Sequence, residues 1–232
     1  IDAGDMGERV LRFNVAGREL IAMLEKHGIM PLPPYIKRDD GGDDGDRDDY
    51  QTMFAEKDGA VAAPTAALHF TEGLLAAVRD AGVTDTRVTL HVGAGTFLPV
   101  RAEKTEDHVM HTERAILSDD IAQQLNAARA AGGRIIACGT TSLRTLESAC
   151  DDQGRFHAFD GNTDLFITPG YRFRGIDALM TNFHLPCSTL FMLVSALAGL
   201  ERMQAAYKHA IDSGYRFYSY GDACFIERHD EV

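Results

Sequence analysis

The sequence predicts an α/β fold, a mostly parallel, barrel-like sheet wrapped by helices, and three observations carry that prediction. Strand-like and helix-like stretches alternate from Ala60 onward, the order expected of parallel strands joined by helices. Leu190 to Ala198 is apolar on nearly every face, which marks a helix buried all round, and the apolar run Ile176 to Met180 ahead of it has strand length. Polar clusters stand where strands end: Pro64-Thr65 with His69, His91 through Thr96, Gly139 through Ser142, and Asn182 with His184. In parallel α/β architecture the strands' carboxyl ends share one edge, so these four loops are expected to converge on one pocket.

Taken in order, Val10 to Val15 alternates as a strand and leads into a helix from Arg18 to about His27, stopped by Gly28. Three prolines within Pro31 to Pro34 make the next segment stiff and extended. Residues 39–49 carry seven Asp and one Arg, half of the chain's net charge of −12, and read as a flexible acidic loop. The run lacks the Glu that closes an EF-hand, so calcium is set aside. A short helix through Tyr50 to Phe54 is expected to follow. Ala60 to Ala63 reads as a strand and Pro64 to Phe70 as a loop. Thr71 then caps a helix whose Leu74, Leu75, Val78 and Ala81 share a face, ended by Gly82.

Val88 to Val92 is a strand entering Gly93-Ala94-Gly95-Thr96, and an irregular region from Glu106 to Glu113 follows. Ser118 is placed to cap a helix with Ile121, Leu125 and Ala128 inward. Arg134 to Cys138 is a strand feeding Gly139-Thr140-Thr141-Ser142, which opens another helix. Leu165 to Ile167 reads as a strand. Ser188 or Thr189 caps the buried helix and Gly199 ends it; a helix from about Glu201 to Ser213 and a last extended stretch to Ile226 complete the pattern.

The acidic total argues against a broadly basic nucleic-acid binder, although Lys37-Arg38, Arg101, Arg144 and Arg172-Phe173-Arg174 can still meet phosphates over a small footprint. No stretch has a signal-peptide pattern, and Leu190 to Leu200 falls far short of the ~20 residues that span a bilayer. The four cysteines lack the spacing of a zinc site or disulfide scaffold, so a reduced, cytoplasmic protein is expected. The chain begins at Ile1 rather than methionine and reads as a piece of something longer.

Gly93-Ala94-Gly95 has Leu98 where a dinucleotide loop needs its third glycine, so its glycines are read as letting backbone approach a ligand. Gly139-Thr140-Thr141-Ser142 has two readings: amides and hydroxyls that hold a carboxylate or phosphate, or a plain threonine N-cap. His108 and His111 with Glu113 lack the spacing of a zinc helix, and no metal is assigned. An imidazole near a carboxylate suits proton transfer, which fits His111 and Glu113. Asp222 either supplies another carboxylate or closes a turn.

Six motifs in sequence, Met30 to Ile36, Ala62 to Phe70, Leu90 to Phe97, Gly139 to Ser142, Thr181 to Pro186 and Tyr220 to Ala223, resemble the S-adenosylmethionine:tRNA ribosyltransferase-isomerase family of queuosine synthesis. Members of that family extend about a hundred residues further at the N-terminus. The resemblance therefore implies that residues 1–16 are the end of a small inserted β-barrel and residues 17–232 the catalytic domain. Ala67 and Cys187 stand where relatives often carry Gly and a charged residue.

The implied reaction moves and isomerises the ribosyl part of S-adenosylmethionine onto 7-aminomethyl-7-deazaguanine in the wobble position of a tRNA anticodon. Adenine and methionine leave and an epoxide ring remains. S-adenosylmethionine is a co-substrate and no separate cofactor is implied. The chemistry needs a base for the C–H beside the sulfonium and an acid for departing adenine. His111 with Glu113, His184 and His69 are the proton-transfer candidates, with Asp222 behind them. Thr65, His91, Gly93, Thr96, Thr140, Thr141 and Asn182 are candidates to bind the donor or the modified base. A monomer is expected. The competing readings are an S-adenosylmethionine-dependent tRNA methyltransferase, which needs a helix after Gly95 that the sequence lacks, and a tRNA-binding module without chemistry.

Overall fold

The computed structural model describes residues 2–3, 9–38, 45–93, 104–108 and 110–229. Thr96, with Ala94 and Gly95, lies outside the described residues, as does most of the acidic run. The chain divides into two compact units, Ile1–Arg47 and Asp48–Val232.

In the first unit, β1 (Asp2–Ala3) pairs antiparallel with β2 (Arg9–Val10), and α1 (Gly17–His27) follows. Expected as a strand from Val10 to Val15, the chain is laddered only at Arg9–Val10. Beyond the prolines, Ile36 N–H closes a turn on the Pro33 carbonyl at 2.9 Å. At the far end of the acidic run α2 (Asp46–Asp49) forms, before the helix expected at Tyr50 to Phe54. Its cause is charge neutralisation, because the Arg38 guanidinium grips the buried Asp46 carboxylate at 2.7 Å.

Among the described residues the second unit holds two three-stranded sheets. One has the order β3 (Thr89–His91), β4 (Glu113–Leu117), β6 (Phe159–Thr163), all antiparallel. The other has β7 (Ala178–Asn182) in the middle, parallel to β5 (Ile136–Cys138) and antiparallel to β8 (Ala223–Glu227). The α/β class is as expected, but the sheet is not mostly parallel: among the described strand pairs only β5 with β7 is. The difference comes from β4 and β6, two antiparallel strands that the alternation of apolar runs does not reveal. β4 alternates buried and exposed positions, a signal present in Glu113-Arg114-Ala115-Ile116-Leu117. β6, Phe159-Asp160-Gly161-Asn162-Thr163, has a composition poor in strand formers and is held by pairing with β4 along its whole length. Leu165 to Ile167, expected as a strand, joins no ladder; side chains hold its first residue instead. Arg144 Nε donates to the Leu165 carbonyl at 3.1 Å, and Thr163 Oγ1 accepts from the Leu165 amide at 3.3 Å.

The helices follow their caps. Thr71 accepts from Leu74 N–H at the start of α3 (Glu72–Asp80), and Ser188 accepts from Phe191 N–H at the start of α6 (Thr189–Ala198). Ser118 precedes α4 (Asp119–Ala130) without a side-chain cap bond. Gly199, at φ +93°, ends α6 and starts α7 (Leu200–Asp212). One core joins Leu143 and Leu146 of α5 (Gly139–Ser148), Leu179 of β7, Ile226 of β8, and Leu193, Val194 and Leu197 of α6. Helix α5 touches strands of both sheets and so helps to join them. Leu179 is fully enclosed at the centre. Leu179→Ala is therefore expected to cost about 2–5 kcal/mol, read as a lowered denaturant midpoint with the slope unchanged.

Candidate functional site

The parallel register sets Cys138 beside Met180, so α5 opens where β7 approaches its last residue, Asn182. Asn182 was expected in a loop after the strand; it is instead the last residue of β7 and is 97% enclosed. A buried amide needs partners, and it finds them 113 to 117 residues away. Thr65 Oγ1 donates to Asn182 Oδ1 at 3.1 Å, and Asn182 Nδ2 donates to His69 Nε2 at 3.4 Å. Because an amide nitrogen only donates, His69 Nε2 is the acceptor and the ring proton sits on Nδ1. The segment expected as a loop is a single 3-10 turn, Thr65–His69, which packs on both β7 and α5, with Ala66 against Gly139.

The same segment reaches His91. Val61 N–H donates to the Val92 carbonyl at 2.9 Å, in place of the strand expected at Ala60 to Ala63. Gly59, at φ +123°, lies against the His91 ring; a Cβ there would stand 2.9 Å from Nδ1, so only glycine lets this histidine occupy its place. Residues 59–69 thus run from the end of β3, with His91 and Gly93, to the end of β7. Thr140 and Thr141 are half-buried in the first turn of α5. Thr65, His69, Asn182 and the start of α5 are brought together directly, and His91 is tied to them through this one segment.

The other expected residues are engaged differently. Successive strand side chains point to opposite faces, so Thr181 and Asn182 diverge. Thr181 Oγ1 shares a hydrogen with His184 Nε2 at 3.0 Å, and His184 N–H donates to the Tyr207 hydroxyl of α7 at 2.9 Å. His184 is therefore held on the side of α7, away from the Asn182 face. Burial pushes its pKa down to about 4, so it is a neutral imidazole at physiological pH and unsuited to act as an acid. Glu113 is buried in an ion pair with Arg144. His111, half-buried, has no ring hydrogen bond among the described residues. The ring of His108 packs on Phe166, with centroids 5.1 Å apart. No group of three or more His, Cys, Asp or Glu residues placed to hold a metal occurs among the described residues.

Asp222 closes a turn. Its Oδ2 accepts from Arg216 N–H at 2.7 Å, while its own N–H donates to the Arg216 carbonyl at 2.8 Å. Gly221 fits only because it lacks a Cβ, which would come within 2.5 Å of the Arg216 and Phe217 backbone. Sequence reasoning passed over Arg144 as a site residue and Tyr207 altogether. Arg144 carried a signal, an arginine one turn into a helix behind Thr140 and Thr141. Tyr207 carried none, since its partner is a backbone amide.

The His184 pKa sets a pH dependence. The folded value lies below the ordinary 6.5, so its contribution is complete above about pH 6.5 and is lost as pH falls through about 4. Stability is expected to fall by up to about 3 kcal/mol over that window, and His184→Gln should flatten this part of the acid limb in urea titrations.

Residues 1–226 match the family described as queuosine biosynthesis protein. The chain is 65% identical over 221 residues to the S-adenosylmethionine:tRNA ribosyltransferase-isomerase of Sphingopyxis alaskensis, covering 95% of this chain and 62% of that protein. It is 60% identical over 225 residues to the protein of the same name from Parvibaculum lavamentivorans, covering 97% and 64%. The crystal structure of an S-adenosylmethionine tRNA ribosyltransferase from Thermotoga maritima is similar at a TM-score of 0.57 and 39% identity, over 69% of this chain and 51% of that one. The chain thus spans less than two thirds of the length of these relatives. Its match along residues 1–226, together with these identities, places the chain in the queuosine biosynthesis protein family.

Proposed function

We propose that this chain carries the catalytic part of an S-adenosylmethionine:tRNA ribosyltransferase-isomerase, and that its substrates are S-adenosylmethionine and a tRNA bearing 7-aminomethyl-7-deazaguanine at the wobble position. The products are epoxyqueuosine-tRNA, adenine and methionine. The observation that carries the reading is the joining of Thr65, His69 and Asn182 at the carboxyl end of β7, beside the start of α5. Two segments more than a hundred residues apart in sequence meet there in hydrogen bonds that orient a histidine, with the start of α5 packed beside them. That arrangement suits orientation of a small polar substrate.

In this reading His69, with its proton on Nδ1, and His111 are the proton-transfer groups for the C–H beside the sulfonium and for departing adenine. Thr65, Asn182, His91, Gly93, Thr140 and Thr141 line the donor and the modified base, and Thr96 belongs with them by sequence. His184, neutral and tied to Thr181 and Tyr207, supports the end of β7. Asp222 fixes the turn that follows α7, and Glu113 serves through Arg144. The first unit begins with the end of an inserted β-barrel, residues 1–16, and the enzyme acts as a cytoplasmic monomer.

Incubation with S-adenosylmethionine and precursor-bearing tRNA, followed by chromatography, is expected to show adenine and methionine in equal amounts. S-adenosylhomocysteine would mean methyl transfer instead, and tRNA binding without consumption of the donor would mean a binding module. Asn182→Ala should lower adenine release by roughly 100-fold or more with the fold retained, because the His69 ring loses its orienting partner. Near-normal turnover in that variant would remove the cluster from the reaction.

A further inference from the structure

Helix α5 begins without a side-chain cap. Cys138 occupies the N-cap position and makes no side-chain hydrogen bond, while Thr140 and Thr141 lie inside the helix. The plain threonine cap does not form, and among the described residues the N-cap side chain leaves the amides of the first turn uncapped. No acidic residue stands in that turn. With its amide dipoles and the two half-buried hydroxyls, the start of α5 favours negative charge.

A second observation points to the same place. Arg144 is 94% enclosed, yet its Nη2 has no hydrogen-bond partner among the described residues. Its Nη1 is taken by Glu113 and its Nε by the Leu165 carbonyl. Thr140 and Thr141 precede it by four and three residues, on the same helix face, and helical side chains lean toward the N-terminus. Its partner Glu113 begins β4, at the end of the sheet where β3 runs into Val92 and Gly93. A buried guanidinium nitrogen left without an acceptor is costly, and an anion is the acceptor that suits a guanidinium best.

We propose that Arg144 Nη2, the amides of Thr140 and Thr141 and their hydroxyls form an oxyanion subsite. The ligand is a compact carboxylate or phosphate group. Under the ribosyl-transfer reading, on which only the source of the anion rests, it is either the carboxylate of the donor's methionyl part or a backbone phosphate of the tRNA. Glu113 holds the guanidinium in place and is a positioning residue, which accounts for its burial.

The test uses Arg144→Lys, which keeps a cation against Glu113 and loses the second guanidinium nitrogen. Thr140→Val gives the same comparison at a half-buried position should lysine fail to hold Glu113. With inorganic phosphate replacing chloride at constant ionic strength, the melting temperature of the unaltered chain is expected to rise by roughly 2–4 °C, and that of either variant by less than half as much. No rise, or an equal rise in all three, would overturn the subsite. Equilibrium dialysis then separates the sources. A donor carboxylate predicts that S-adenosylmethionine binds at least about ten-fold more tightly than its decarboxylated form, and that the variants lose the preference. A tRNA phosphate predicts unchanged donor binding and a salt slope of tRNA binding reduced by about one. Variants that match the unaltered chain in both dialysis arms would exclude the subsite from substrate binding. The phosphate arm needs no turnover, so its success alongside absent adenine release would count against ribosyl transfer and not against the subsite.

Discussion

The parallel pairing of β5 with β7 is the constraint on which the rest of the second unit depends. Its register sets Cys138 against Met180, and everything polar nearby follows from that alignment. Helix α5 must start at the edge where β7 ends, so backbone amides and the Asn182 side chain share one rim. Ala178 and Leu179, both fully enclosed, secure the strand by apolar burial, and a slip of one residue would turn Asn182 toward the side of Thr181 and α7.

That geometry also divides the histidines. Alternation along β7 sends Asn182 to the segment of residues 65–69 and Thr181 to His184, so adjacent residues serve opposite faces. The consequence is a difference in electrostatics. His69 accepts from an amide, whereas His184, half-buried and with its pKa pushed down to about 4, stays neutral. Acidic groups near the rim are occupied in a similar way: Glu113 by a guanidinium and Asp222 by a backbone amide.

Much of this was legible in the sequence, and the rest was not for identifiable reasons. The caps at Thr71 and Ser188 and the stops at Gly82 and Gly199 follow from local chemistry, which one segment determines alone. The gathering of Thr65, His69 and Asn182 was readable because polar residues at the ends of apolar runs have few other roles. Strand direction was not readable: β6 has almost no strand pattern of its own and exists because β4 offers it a full ladder. The roles of Glu113, Asp222 and His184 were likewise set by partners 31, 6 and 3 residues away, respectively, and an isolated carboxylate or imidazole in a sequence carries no mark of such a partner.

The central claim is that separate segments form one small-molecule site at the joint end of β5 and β7. Hydrogen exchange with and without S-adenosylmethionine tests it most directly. The account predicts protection rising together in residues 59–69, 89–93, 139–142 and 180–184. Protection confined to a single one of these segments, or lying elsewhere while the donor is bound, would contradict it.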